Sequence, residues 1–239
     1  MRNLIGTRRI LPAVIAVGAL LVIAAVAVPL LATHRGHTGA TAVSPSPTPS
    51  TSPVPGPTGA VSLVQGARLA DGIEVGYPHT IVGAVSAAAQ YLDAVASTLD
   101  PDYAASLGRM AGDPAVPALP GNLAASVTKL RAALQLPADG PVPAPAAFVT
   151  TAQMYQLRAT SADNATVLLL TSNTFINTHG GTAGTVGVYP VRMHWTGGDW
   201  HLAGIGTGVD YSALAATPDT QTAVNQGWQA LIAATGSAP

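Results

Sequence analysis

The sequence predicts an α+β domain carried behind an N-terminal transmembrane helix: helices first, then a four-stranded antiparallel sheet, then one helix at the C-terminus. Three observations predict it. An uncharged apolar run extends from Ile10 to Ala32, apolar residues recur at helical spacing between Ile81 and Leu134, and from Phe148 onward Thr, Val, Tyr and Leu replace Ala in a strand-like pattern.

The first sixty residues of the 239-residue chain differ in composition from the rest. Residues 1–9 form a short tail containing Arg2, Arg8 and Arg9 and no acid, and residues 10–32 are about 23 residues long, enough for a hydrocarbon core about 30 Å thick. Arg35 is the one full positive charge just beyond, so the charge bias places the N-terminus in the cytoplasm and everything after Ala32 outside. A cleaved signal peptide is the alternative, because Ala25-Val26-Ala27 offers small residues at a peptidase spacing; the apolar run continues past it through Leu31. Both readings export the same domain. Residues 33–60 are rich in Ser, Thr and Pro, with Pro45, Pro47, Pro49, Pro53, Pro55 and Pro57 excluding helix and sheet, which predicts an extended stalk.

Residues 61–239 form the predicted outer domain. All 11 acids lie here against six Lys and Arg, so this part is net negative while the first sixty residues are net positive. Phosphate backbones are held by basic side chains, and a nucleic-acid partner is therefore not expected. The chain has no Cys, which excludes disulfides, thiolate chemistry and cysteine-bound zinc.

A short strand is expected around Val61–Val64. Thr80 caps a helix whose face is Ile81, Val85, Ala88, Leu92, Val95 and Leu99. A second helix begins at Pro101 and stops before Gly112, and a third starts at Gly121-Asn122, carries Leu123, Val127, Leu130 and Leu134, and ends by Pro137. Strands follow at Phe148–Thr160, Ala165–Ile176, Thr185–Thr196 and Asp199–Gly206. Gly197-Gly198 is a two-residue hairpin loop, which sets Thr196 opposite Asp199, Trp195 opposite Trp200, His194 opposite His201 and Met193 opposite Leu202. One face then carries Val191, Met193, Trp195, Trp200 and Leu202 toward the core; the other carries Arg192, His194, Thr196, Asp199 and His201 toward solvent or a partner. Thr217-Pro218 opens a terminal helix through Val224, Trp228, Leu231 and Thr235, stopping at Gly236.

Two stretches resemble known families. Gly76-Tyr77-Pro78-His79-Thr80, leading into an Ala-rich helix, resembles uncharacterised membrane-anchored actinobacterial proteins, some linked to conjugative elements. Trp195-Thr196-Gly197-Gly198-Asp199-Trp200-His201-Leu202 resembles the last strands of cone-shaped domains like nuclear transport factor 2, which also form the outer part of single-pass assembly components of type IV secretion machines. The resemblance implies a curved sheet and a scaffold that bridges envelope subunits. It carries over no functional residues.

His194 and His201 with Asp199 beside them are the one constellation of metal-ligand type, with no fourth group in the pattern beyond a distant His79 or His179; the plainer reading is an exposed polar sheet face. His79 reads as a hydrogen bonder at the helix start, Trp195, Trp200 and Trp228 as core anchors, and Asp102-Tyr103 and Asp210-Tyr211 as cap or loop residues. There is no phosphate loop, nucleophile elbow or His-Glu-x-x-His, and no cofactor is expected. The expected function is a membrane-anchored extracytoplasmic scaffold or interaction protein, in self-association or with envelope partners, through Arg192, His194, Asp199 and His201. The alternative is a stalked ligand-binding module or enzyme using the concave sheet face.

Overall fold

The computed structural model describes residues 54–206 and 208–234. The expected tail, the apolar run 10–32 and the stalk up to residue 53 lie outside the described residues. Among the described residues no helix is long and apolar enough to cross a membrane. The last stretch of the expected stalk lies against the domain: the Thr160 hydroxyl donates to the Val54 carbonyl at 2.6 Å, and the Tyr155 hydroxyl donates to the Gly59 carbonyl at 2.9 Å.

A short strand β1 (Val61–Ser62) and a hairpin of β2 (Arg68–Ala70) and β3 (Ile73–Val75) precede the helices. The hairpin was not expected, although Asp71-Gly72 is its sequence signal: both residues take positive φ, 48° and 80°, as a tight two-residue turn requires.

Helix α1 (Ile81–Ser97) starts as expected, the Thr80 hydroxyl accepting from the Gly83 amide at 3.0 Å. The Asp100 carboxylate caps α2 (Pro101–Ala111) by accepting from the amides of Asp102 and Tyr103. Helix α3 (Leu119–Ala133) begins slightly earlier than Gly121 because Pro120 fits the first turn, where a missing N–H costs nothing.

Strands β4 (Ala147–Thr160), β5 (Asn164–Ile176), β6 (Thr182–Thr196) and β7 (Asp199–Ile205) form the expected meander, and the β6–β7 register agrees pair by pair with that read from the Gly197-Gly198 turn. The rest of the sheet departs from expectation. The terminal helix is only α4 (Gln221–Asn225); Gly227, at φ 88°, ends it, and the chain continues as strand β8 (Gln229–Ile232). β8 pairs antiparallel with β4 and parallel with β1, so the sheet is six-stranded and mixed, in the order β1-β8-β4-β5-β6-β7. The expected four-stranded antiparallel sheet with a C-terminal helix is thereby corrected, and with it the cone-shaped fold: the terminal segment completes the sheet instead of standing outside it.

Alternation along the strands divides the core. Tyr155, Val167, Leu169, Val191 and Met193 pack under α1, whose Val85, Ala88 and Leu92 are fully buried. Met154, Leu168 and Leu170 face the other way and are covered by Trp228 and Ala223 from the segment that crosses from β7 to β8, with Tyr211 and Leu214 at its rim. Both faces of the sheet's centre are therefore packed.

Candidate interaction site

The four residues expected on one polar face do not share one environment. Arg192 is exposed, and its Nη2 donates to the Ala203 carbonyl at 3.2 Å. That guanidinium lies over Gly204, where an added Cβ would sit 2.5 Å from it, so the glycine permits the close approach. His194 Nδ1 pairs with Asp113 at 2.8 Å; Asp113 is 6% exposed and follows α2, at the outer side of β7. With Nδ1–H given to that carboxylate, Nε2 of a neutral ring is the acceptor. His201, opposite His194, is half-buried, and its Nδ1 has no hydrogen-bond partner among the described residues. No three His, Asp or Glu side chains among the described residues converge closely enough to hold a metal ion.

Asp199 does not face solvent. It is buried and accepts from the backbone amides of Gly76 at 2.5 Å, Tyr77 at 2.8 Å and Trp200 at 2.7 Å, fastening the segment before α1 to the edge of β7. Burial pushes the phenols of Tyr77 and Tyr91 well above their usual range, with the Glu74 carboxylate adding to the effect at Tyr77 and the negative charge of Asp199 at Tyr91. Tyr91 and Tyr77 meet edge to face, at 6.1 Å between ring centroids. His79 stacks on Trp195 at 4.1 Å with the rings nearly parallel, and its Nε2 lies 3.0 Å from Asp163. This clamp ties the helix start to the β4–β5 turn. Trp195 is thus a half-buried rim residue, while Trp200 and Trp228 are core anchors as expected.

The sheet edges show where the molecule is open. Exposed edges carry unpaired N–H and C=O groups and tend to recruit another strand, so proteins close them. The edge of β4 is closed by α1: the Asp93 carboxylate accepts from the Ala152 amide at 2.9 Å, and Ser97 Oγ accepts from the Thr150 amide at 2.9 Å and donates to its carbonyl at 3.1 Å. The edge of β7 is closed by Asp199 with Gly76 and Tyr77, and by the Asp113 amide donating to the Leu202 carbonyl at 2.9 Å. β1 is only two residues long, and beyond it Ser86 Oγ accepts from the Val64 amide.

The outer edge of β6 is different. β6 has 15 residues and β7 only 7, and the pairing between them begins at Val191, so among the described residues β6 from Thr182 to Tyr189 has β5 on one side and no strand on the other. The Gly206 amide donates to the Pro190 carbonyl at 2.7 Å, which places Pro190 outward; Thr171 Oγ1 donates to the Gly187 carbonyl, which places Gly187 inward, toward β5. Because backbone groups alternate sides along a strand, those of Thr182, Gly184, Val186 and Val188 point outward. Residues 182–186 are exposed, whereas 187–190 are half-buried, where the turn Ser212–Leu214 comes into contact with β6. No Asp, Glu, Lys or Arg occurs from Asn164 through Val191, so none of the charges that normally guard an edge is present. The tip is held in shape by Asn177, whose Oδ1 accepts from the amides of His179 and Gly181, both at 2.9 Å.

Fold and edge together define a class: an α+β domain with a mixed sheet, closed along β1, β4 and β7 and, among the described residues, unpaired along one uncharged stretch of β6. The chain belongs to the family described as a domain of unknown function (DUF8175), whose model matches residues 65–225, from just before β2 to the end of α4. No curated protein matches the chain, and no solved structure does.

Sequence reasoning reached Arg192, His194 and His201 through alternation but missed Asp113, whose partner lies 81 residues away. It also missed the β6 edge, although the uncharged run was in view.

Proposed function

We propose that this protein is a membrane-tethered, extracytoplasmic interaction module that joins another polypeptide by adding a strand to its sheet. The observation that carries the reading is the β6 edge from Thr182 to Tyr189, unpaired by any described strand and exposed at 182–186, in a sheet whose β1, β4 and β7 edges are closed by side chains, short length or neighbouring backbone. Strand addition uses main-chain hydrogen bonds for affinity and alternate side chains for specificity, and an edge stretch with no charge between Thr182 and Tyr189 suits that use. The membrane tether rests on the apolar run 10–32 and the Arg bias before it, and the Pro-rich run after it supplies reach. The link to a secretion apparatus depended on a cone-shaped fold and is not carried forward.

The test is Val186→Pro in the full-length protein. Proline at this outward position removes an N–H directed at solvent and leaves the β5–β6 ladder intact. Crosslinked membranes from wild type and variant are solubilised, the protein is captured, and bound polypeptides are identified. The reading expects a crosslinked polypeptide with the wild type that is lost in the variant; identical recovery from both would overturn it.

A further inference from the structure

Resting on that reading, we infer that the strand received by the β6 edge is β6 of a second copy, in an antiparallel pairing about a twofold axis at Thr185. Twofold pairing of identical antiparallel strands is self-complementary: each outward donor meets an outward acceptor of the partner. Outward groups occur at Thr182, Gly184, Val186 and Val188, and this set maps onto itself about residue 185, with Gly184 opposite Val186 and Thr182 opposite Val188. A register slipped by one residue would set outward groups against inward ones and lose the ladder.

Three further features favour a second copy. The edge carries no charge, so two copies meet without like-charge repulsion. The side chains along it are small, Ala183, Gly184, Thr185, Val186 and Gly187, and allow close approach on both faces. The stretch is bounded by Pro190 and β7 at one end and by the Asn177–Gly181 turn at the other, so each copy's hairpin tip meets the step where its partner's β7 ends. The two six-stranded sheets then become one continuous sheet. Its twofold axis is normal to the sheet, and the pair satisfies a common membrane when that axis runs along the membrane normal. An edge contact alone is small, and confinement of both tethers to one membrane raises the effective concentration that completes it.

The chain has no native cysteine, so a single one reports the contact without interference. Thr185→Cys is exposed, and across the twofold it would form a non-hydrogen-bonded antiparallel pair with Cα atoms about 4.5 Å apart, within disulfide range. Ala183→Cys lies opposite Gly187 and about 13 Å from its own copy. The full-length variants are oxidised mildly in native membranes and resolved without reductant. The inference expects a disulfide dimer from T185C, none from A183C, and loss of the T185C dimer when V186P is added while circular dichroism and thermal unfolding stay unchanged. A T185C protein that reacts with a thiol reagent yet gives no dimer overturns the self-pairing; if V186P still removes a captured foreign polypeptide, the proposed function stands without it. A T185C dimer that persists with V186P also overturns it, since contact then arises elsewhere, for example between membrane segments.

Discussion

Replacing Asp93 with Asn tests how the β4 edge is closed. The carboxyl sits on the side of α1 against β4 and accepts the Ala152 amide; burial pushes its pKa from 3.8 up to about 7, with the Ala152 hydrogen bond working in the opposite direction. The folded value lies above the unfolded one, so between about pH 4 and pH 7 the native state holds a proton that the unfolded chain has released. Stability associated with this group is therefore fully present below about pH 4 and is lost as pH rises through about 7. A shift of roughly three units at 1.36 kcal/mol each sets a ceiling of about 4 kcal/mol, and partial exposure reduces the expected loss to about 2 kcal/mol. Asparagine keeps an oxygen for the Ala152 amide and removes the charge. The variant should match wild type within about 0.5 kcal/mol near pH 4 and exceed it by about 2 kcal/mol near pH 8. Urea unfolding followed by tryptophan fluorescence at both pH values measures this. A D93N protein less stable than wild type near pH 8, or a difference that does not change with pH, would refute the reasoning.

Trp228→Ala removes the side chain that covers Met154, Leu168 and Leu170 and donates from Nε1 to the Leu214 carbonyl at 2.9 Å, and should cost about 3–5 kcal/mol in the same assay. Asp199→Ala leaves the amides of Gly76, Tyr77 and Trp200 without their acceptor and should cost about 3 kcal/mol, with faster amide exchange at residues 76 and 77 than elsewhere in the domain. His79→Ala removes the Trp195 stack and the contact to Asp163, both at a partly exposed site; a loss of about 1 kcal/mol is expected, with the Trp195 fluorescence changed.

The parts of the fold legible in the sequence are those with local causes. Thr80 and Asp100 cap helices through neighbouring amides, and Gly197-Gly198 sets the β6–β7 register because a two-residue turn allows few alternatives. The terminal segment was illegible for a physical reason. Val224, Trp228 and Leu231 are spaced by four and three, as on a helix, yet Trp228 is needed over the second sheet face and Leu231 pairs with Val61, 170 positions earlier. No local pattern signals that pairing. Asp199 illustrates the same limit at the site: alternation placed it with His194 and His201, but the amides of Gly76 and Tyr77, 123 and 122 positions away, draw its carboxylate to the strand edge. Asp71-Gly72 is the converse case, a local signal that was present and unused.

Amide hydrogen exchange along β6 in the full-length protein tests the central claim most directly, because alternate residues report different sides of the strand. Gly187 and its inward neighbours, Ala183 and Thr185, face β5 and should be protected in every condition. Thr182, Gly184 and Val186 should exchange quickly in dilute detergent solution and become protected in the native membrane, and V186P should abolish the protection at Thr182 and Gly184. Rapid exchange at these residues in the membrane, equal to that in dilute solution, would contradict the claim that this edge is where the protein meets its partner.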